Sequence, residues 1–233
     1  MLPKSPRQAD RGPWDLEQIE MTKNSESAKE YATTAELENG RFDQISIILH
    51  WLTVLLIILQ FSSAWLREAV DHNSSLAVAI LTTHRTSGAL IWIVTLGRLV
   101  WRHNFAYLPP FPESMSKLQQ TLAKANEYSL YALLLIQPIT GLGRSLFRGA
   151  PFELFIWQVP ALFAQDDAIR HVFAEAHEFG ASMLLALIGL HAGTALFHRL
   201  VLRDGVLQRM LPWASQSVGA RERNTQLAVS DAE

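Results

Sequence analysis

The stretch ISIILHWLTVLLIILQFSSAWL, Ile45 to Leu66, is almost unbroken apolar sequence with neither glycine nor proline. At a rise of about 1.5 Å per residue, a helix of this length crosses a hydrocarbon core roughly 30 Å thick. Three further blocks follow: LAVAILTTHRTSGALIWIVTLGRLVW from about Leu76 to Trp101, EYSLYALLLIQPITGLGRSL from about Glu127 to Leu146, and a last from about Ala168 to Leu202. No water reaches the backbone inside a bilayer, so a spanning segment must satisfy its own amides as a helix or join a closed barrel. Apolar residues gathered in long blocks, rather than spread at amphipathic spacing, favour the helix. The predicted fold class is all-α, a four-helix transmembrane bundle. Pro138 and Gly141 are expected to kink or loosen the third helix.

Outside the blocks the chain changes character. Residues 1–40 mix Pro, Ser, Glu, Lys and Asn without apolar periodicity and lack the basic-then-apolar layout of a cleavable leader, so they read as a disordered arm. Residues 41–212 form the four-span domain, and 213–233 a polar tail. Four spans put both termini on one side. That side also holds Arg98, Arg102, Lys117 and Lys124 of the middle loop and Arg199, Arg203 and Arg209 after the last span. The positive-inside rule makes it cytoplasmic. Trp65, Trp101, Trp157 and Trp213 fall near the predicted boundaries, as interfacial anchors do. No convincing internal repeat is visible. The chain is 49% hydrophobic and 18% charged, with a net charge of −2 that offers nucleic acid no counter-charge. The absence of cysteine excludes disulfides, zinc–thiolate sites, iron–sulfur clusters and covalent haem attachment.

Any metal must therefore be held mainly by histidine. Eight are present, and four of them, His50, His84, His177 and His191, lie well inside predicted spans, where an ionisable residue is costly and points to function. A lone intramembrane histidine can simply bond across helices. Four together form a pattern. His50 lies nine residues after Arg41 and His191 eight before Arg199, at one depth; His84 lies nine after Ser75 and His177 ten after Asp167, at another. Fourteen helical steps from His177 to His191 return the side chain to within roughly 40° of its starting direction and rise about 21 Å. Two histidine pairs, His50/His191 and His84/His177, are thus expected on two levels of one bundle.

A porphyrin needs two axial ligands on opposite faces, an apolar slot, and small residues where its plane meets backbone. Gly88, Gly180, Ala181, Gly189 and Gly193 flank these histidines, although small residues also suit close helix packing. Bound imidazole stays neutral, which removes the cost of buried charge. The predicted cofactors are two haem b groups, stacked, with the four histidines as iron ligands. Arg85 adjoins the outer ligand and reads either as a propionate partner or as a snorkelling side chain. His72 and His171, by the outer loops, and His103, in the inner loop, read as solvated surface. His198 lies near the cytoplasmic edge and, with Arg98 and Arg102, is a candidate for the vicinity of a quinone; arginines there also act as topological anchors.

The phrases ISIILHWLTVLLI, THRTSGALIWIVTLGRLVWR, LYALLLIQPITG and HEFGASMLLALIGLHAGTALFHRLVLRDGVLQRMLP resemble the bacterial cytochrome b561 family over about Arg41 to Pro212. The last is the most specific. The resemblance implies a multi-pass protein of the bacterial inner membrane that carries two b haems on His50, His84, His177 and His191. It also implies electron passage between the outer surface and the quinone pool, with superoxide as donor and ubiquinone as acceptor in at least one branch. One departure is visible: family members commonly carry histidine four residues before the tyrosine of LY in the third span, where this chain has Glu127 before Tyr131.

The expected function is transmembrane electron transfer between an outer donor, which superoxide would represent, and ubiquinone, with lipid as the surrounding partner. Anion steering needs positive charge, yet Arg67, Arg144, Arg148 and Arg170 on the outer side face Glu68, Asp71, Glu153, Asp166 and Asp167. One alternative is a cytochrome b membrane subunit relaying electrons for a dehydrogenase or hydrogenase. Another is a His-lined metal or proton transporter, which the lack of Asp and Glu inside the spans disfavours.

Overall fold

The computed structural model describes residues 40–112, 115–203 and 205–212. Most of the expected N-terminal arm and the whole of the tail at 213–233 lie outside the described residues. Four long helices dominate: α1 (Gln44–Ala69), α2 (Ser75–Asn104), α3 (Lys117–Leu146) and α4 (Asp167–Phe197). Each starts at a residue whose side chain accepts a backbone N–H of the first turn: Asp43, Ser74, Ser116 and Asp166. At Ser116 the contact is reciprocal, since Gln119 accepts from the Ser116 amide in a capping box. This box explains why α3 begins at Lys117, ten residues before the apolar block that marks it in the sequence.

The helices pack mainly as two pairs, α1 with α2 and α3 with α4, with α2 and α3 joining the pairs. Their surfaces are inverted relative to a water-soluble bundle. Ile48, Leu55, Ile93, Ile136, Phe179 and Leu190 face outward, while Thr53, Ser63, Ser87, Thr95, Gln137 and Thr140 are buried. Apolar tails gain nothing by turning away from lipid, so small and hydrogen-bonding residues take the interior. By length and composition α1, α2 and α4 with its continuation to Leu202 are apolar enough to cross a membrane. The remaining helix, α3, carries Gln137, Thr140 and Ser145 inward and runs through Pro138 without a break.

Midway along the bundle, Ile91, Leu134 and Leu184 form a buried apolar layer with Leu56, Ile57 and Phe61 against it. Leu184 stands seven residues from both His177 and His191, so this layer separates the two histidine levels.

Two features at the ends differ from the expected all-helical outline. Phe152–Leu154 (β1) and Trp157–Val159 (β2) pair antiparallel as a short hairpin. Its turn places Phe155 at φ 55°, and the Phe155 amide donates to Thr86 Oγ1 at 2.9 Å, tying the hairpin to α2 two residues from His84. At the opposite end α4 passes into a π-helical turn, His198–Leu202, and a 3₁₀ turn, Leu207–Met210. Arg203 and Gly205 at positive φ reverse the chain between them. The Trp51 indole donates to Met210 O at 2.8 Å and Arg209 to Pro110 O at 2.7 Å, so the segment after α4 closes against α1 and the α2–α3 loop.

Asp43 joins α1 to α2 at that end: it caps Ser46 and accepts from the Trp101 indole at 2.9 Å. Burial alone would raise its pKa, but the hydrogen bonds from Ser46 and Trp101 outweigh it and hold the carboxyl below the usual carboxylate range. A depressed folded-state pKa gives stability that is present at neutral pH and lost as pH falls through that value. Asp43→Ala is expected to lower unfolding stability by about 1 kcal/mol at neutral pH, with the difference from the parent shrinking in acid. Thermal unfolding in detergent at several pH values checks this.

Candidate functional site

Of the eight predicted site residues, the structure brings four together as two pairs. The His50 and His191 rings, from α1 and α4, have centroids 6.2 Å apart at an interplanar angle of 55°. The His84 and His177 rings, from α2 and α4, have the same 6.2 Å separation at 75°. Both pairings match the depth count: α4 runs parallel to α2, so His84 and His177 come at similar distances after their helix starts, and antiparallel to α1, so His191 near the end of α4 meets His50 near the start of α1. Along the continuous helix α4 the two levels are about 21 Å apart.

The separation is informative. It is too long for a ring–ring hydrogen bond or close stacking. With metal–imidazole bonds of about 2 Å and roughly 1 Å more from each nitrogen to its ring centre, two ligands on one metal place their centroids about 6 Å apart. The residues present therefore fit a metal held between opposed imidazoles. Two rings satisfy only two coordination positions, and among the described residues no group of three or more His, Asp or Glu could hold a bare ion. A porphyrin would supply the missing donors. Gly189 and Gly193, flanking His191, have no atom within 4 Å of where a Cβ would sit, so this face of α4 admits a flat group against its backbone.

Hydrogen bonds settle the tautomer of the hairpin-side pair. His84 Nδ1 lies 3.2 Å from Gln60 O and 3.0 Å from Ser63 Oγ. A carbonyl only accepts, and the Ser63 hydroxyl already donates to Gln60 O at 2.9 Å, so Nδ1 carries the hydrogen. His177 repeats the arrangement: its Nδ1 lies 3.1 Å from Gln137 O and 3.1 Å from Thr140 Oγ1, whose hydroxyl donates to Gln137 O at 2.9 Å. On both rings Nε2 is left with its lone pair. In the other pair, His50 Nδ1 is buried without a hydrogen-bond partner.

The remaining predicted residues divide by level. Arg85 folds inward, its Nε donating to Ser145 Oγ at 3.2 Å and its guanidinium 5.1 Å from the Phe152 ring centre, so it is held under the hairpin rather than extended to a headgroup. Arg98 lies 5.3 Å from the Tyr131 ring centre, and with Arg102, Phe42, Ser46 and Leu108 it lines a recess at the end opposite the hairpin. Arg102 meets Glu127 through two contacts, 2.8 and 3.2 Å. The residue at which this chain departs from the LY pattern thus neutralises an arginine of the recess. His198 is buried, edge-on to Phe197, and does not line that recess. His72 and His171 are exposed, and His171 pairs with Glu175 at 3.5 Å. His103 is exposed in the last turn of α2 rather than in the loop.

Sequence reasoning missed Gln60, Ser63, Gln137 and Thr140. The available signal was a Gln followed three residues later by a hydroxyl, twice, inside apolar blocks.

Comparison with known proteins gives the family. The family model described as prokaryotic cytochrome b561 matches residues 41–213. Cytochrome b561 homolog 1 of Escherichia coli (strain K12) is 28% identical over 176 residues, covering 74% of this chain and 98% of the relative. The probable superoxide oxidase CybB of Yersinia pestis is 27% identical over 172 residues, covering 74% and 96%. Helical spans, paired histidines and a match over most of the chain lead to one conclusion: the protein belongs to the prokaryotic cytochrome b561 family, membrane proteins of electron transfer that carry b-type haem.

Proposed function

We propose that the chain conducts single electrons across the bacterial inner membrane through two haem b groups, one held by His50 and His191 and the other by His84 and His177. The observation that carries this reading is the equal 6.2 Å separation of the two opposed imidazole pairs. Haem iron supplies a one-electron couple at each level. The chain's own residues do the rest: the Nδ1–H contacts hold His84 and His177 in the ligating tautomer, and the Ile91–Leu134–Leu184 layer keeps water and ions from following the electron. Both termini are cytoplasmic in this reading, so the hairpin end is periplasmic.

The end of the bundle that carries Arg98 and Arg102 is the vicinity assigned to a quinone headgroup, whose carbonyl oxygens accept hydrogen bonds from guanidinium groups. His198, buried just after α4, is assigned to the same vicinity. At the hairpin end Arg85 is a partner for a haem propionate. Superoxide is the donor suggested by the name of the Yersinia relative, and ubiquinone the acceptor.

Purified protein is expected to show reduced-minus-oxidised b-type bands and two haems per chain by pyridine haemochrome. A colourless preparation, or a single haem, rejects the proposal. Mixing with superoxide in a stopped-flow instrument should reduce haem faster than spontaneous dismutation removes the radical; otherwise the donor is a different one.

A further inference from the structure

The hydrogen bonds around His84 and His177 form two copies of one device. On the α1–α2 pair, Gln60 O accepts from His84 Nδ1 while the Gln60 side-chain Nε2 donates back to His84 O at 2.9 Å. On the α3–α4 pair, Gln137 O accepts from His177 Nδ1 while Gln137 Nε2 donates to His177 O at 3.0 Å. Each glutamine therefore grips one histidine at ring and backbone together. Three residues on, Ser63 or Thr140 adds a second acceptor for the same Nδ1–H.

A glycine completes each copy. A Cβ at Gly88 would lie 2.8 Å from Gln60 Nε2, and one at Gly180 would lie 2.7 Å from Gln137 Oε1. These two glycines make room for the glutamine side chains. The histidine-to-glycine spacing is four residues in one copy and three in the other, which hides the repeat from a linear scan. Among the described residues no such grip meets His50, whose Nδ1 is buried and unpartnered.

We propose that the Gln60–Ser63 and Gln137–Thr140 clasps are paired positioning elements that raise the donor strength of His84 and His177 and thereby lower the reduction potential of the centre those two histidines hold. This rests on the ligand assignment under Proposed function. The physical basis is that an N–H engaged by two oxygens leaves more electron density on the ligating nitrogen, which favours the oxidised metal. A clasp that acted only as interhelical glue would hold the helices together without moving a potential.

The test uses the full chain with its haems, titrated potentiometrically while the α-band is followed, with low-spin electron paramagnetic resonance spectra of each variant. A parent that shows fewer than two one-electron waves overturns the ligand assignment itself, before any variant is compared. Given two waves, Ser63→Ala and Thr140→Val are each expected to move the same wave to higher potential and to leave the other in place. The double variant should move it further, and Ser63→Thr and Thr140→Ser should return it to the parent position. Gln60→Leu and Gln137→Leu also remove helix–helix bonds and can unfold the bundle, so the hydroxyl variants decide the matter. Unmoved waves with pigment retained, shifts in different waves, or loss of pigment without a shift in what remains each overturn the proposal.

Discussion

A His191→Ala chain is expected to purify with one haem where the parent carries two, and a His50→Ala chain is expected to lose the same one. The rings of these residues face each other across 6.2 Å from α1 and α4, so removing either leaves its partner without an opposing ligand. The second centre lies about 21 Å away along α4 and behind the Leu184 layer, too far for a side-chain truncation to reach by packing. His84→Ala and His177→Ala are expected to spare that first haem and to lose the other. The four single variants should therefore sort into two classes by spectrum and by the potential of the surviving wave. Pyridine haemochrome counts and a redox titration check the sorting. A variant that keeps both haems with unchanged spectra, or a class made up as His50 with His84, would reject the paired assignment.

The second large effect is expected at a residue that ligates nothing. A Cβ on Gly141 would lie 3.1 Å from His177 Cε1 and 3.3 Å from its Nδ1. The ring cannot readily retreat, because Gln137 O and Thr140 Oγ1 hold Nδ1 from the same helix that carries Gly141. Gly141→Val therefore has to push the imidazole off its clasp. Disturbing the outer support of a metal ligand typically weakens metal affinity on the order of 10–100-fold. The variant should lose the His84/His177 haem on dilution in detergent while it keeps the other. Gly97→Ala is the matched control: no atom lies within 4 Å of its added Cβ, and alanine favours the helix, so stability should hold or rise by up to about 1 kcal/mol. Equal haem retention by Gly141→Val and Gly97→Ala would show that the clasp yields.

Both expectations bear on how far the linear chain can be read. The helical spans are legible because a bilayer leaves the backbone no alternative and because apolar length is a direct measure of crossing length. The pairing of His50 with His191 and of His84 with His177 is legible for a related reason. Depth is a single coordinate, set by the covalent rise of a helix and counted inward from charged ends, and all helices of one bundle share it. The third helix shows the limit of that counting. Its apolar block begins near Glu127, yet α3 starts at Lys117, where the Ser116 capping box is local chemistry that hydropathy does not register.

Other features depend on which residues meet across elements. The hairpin of Phe152–Leu154 and Trp157–Val159 turns at Phe155 with a positive φ, where no Asn-Gly or Asp-Gly signal stands and a hydrogen bond to Thr86 supplies the support instead. Glu127 could be noted as a departure from the LY pattern, but its pairing with Arg102 of α2 could not. The clasps belong here too. Gln60 and His84, or Gln137 and His177, meet only when each helix has one rotation about its axis, and Gly88 and Gly180 let the backbones approach closely enough for it. Translation along the membrane normal is written into residue counts; rotation and close approach emerge from many weak contacts acting together, and no single segment of the chain carries that information.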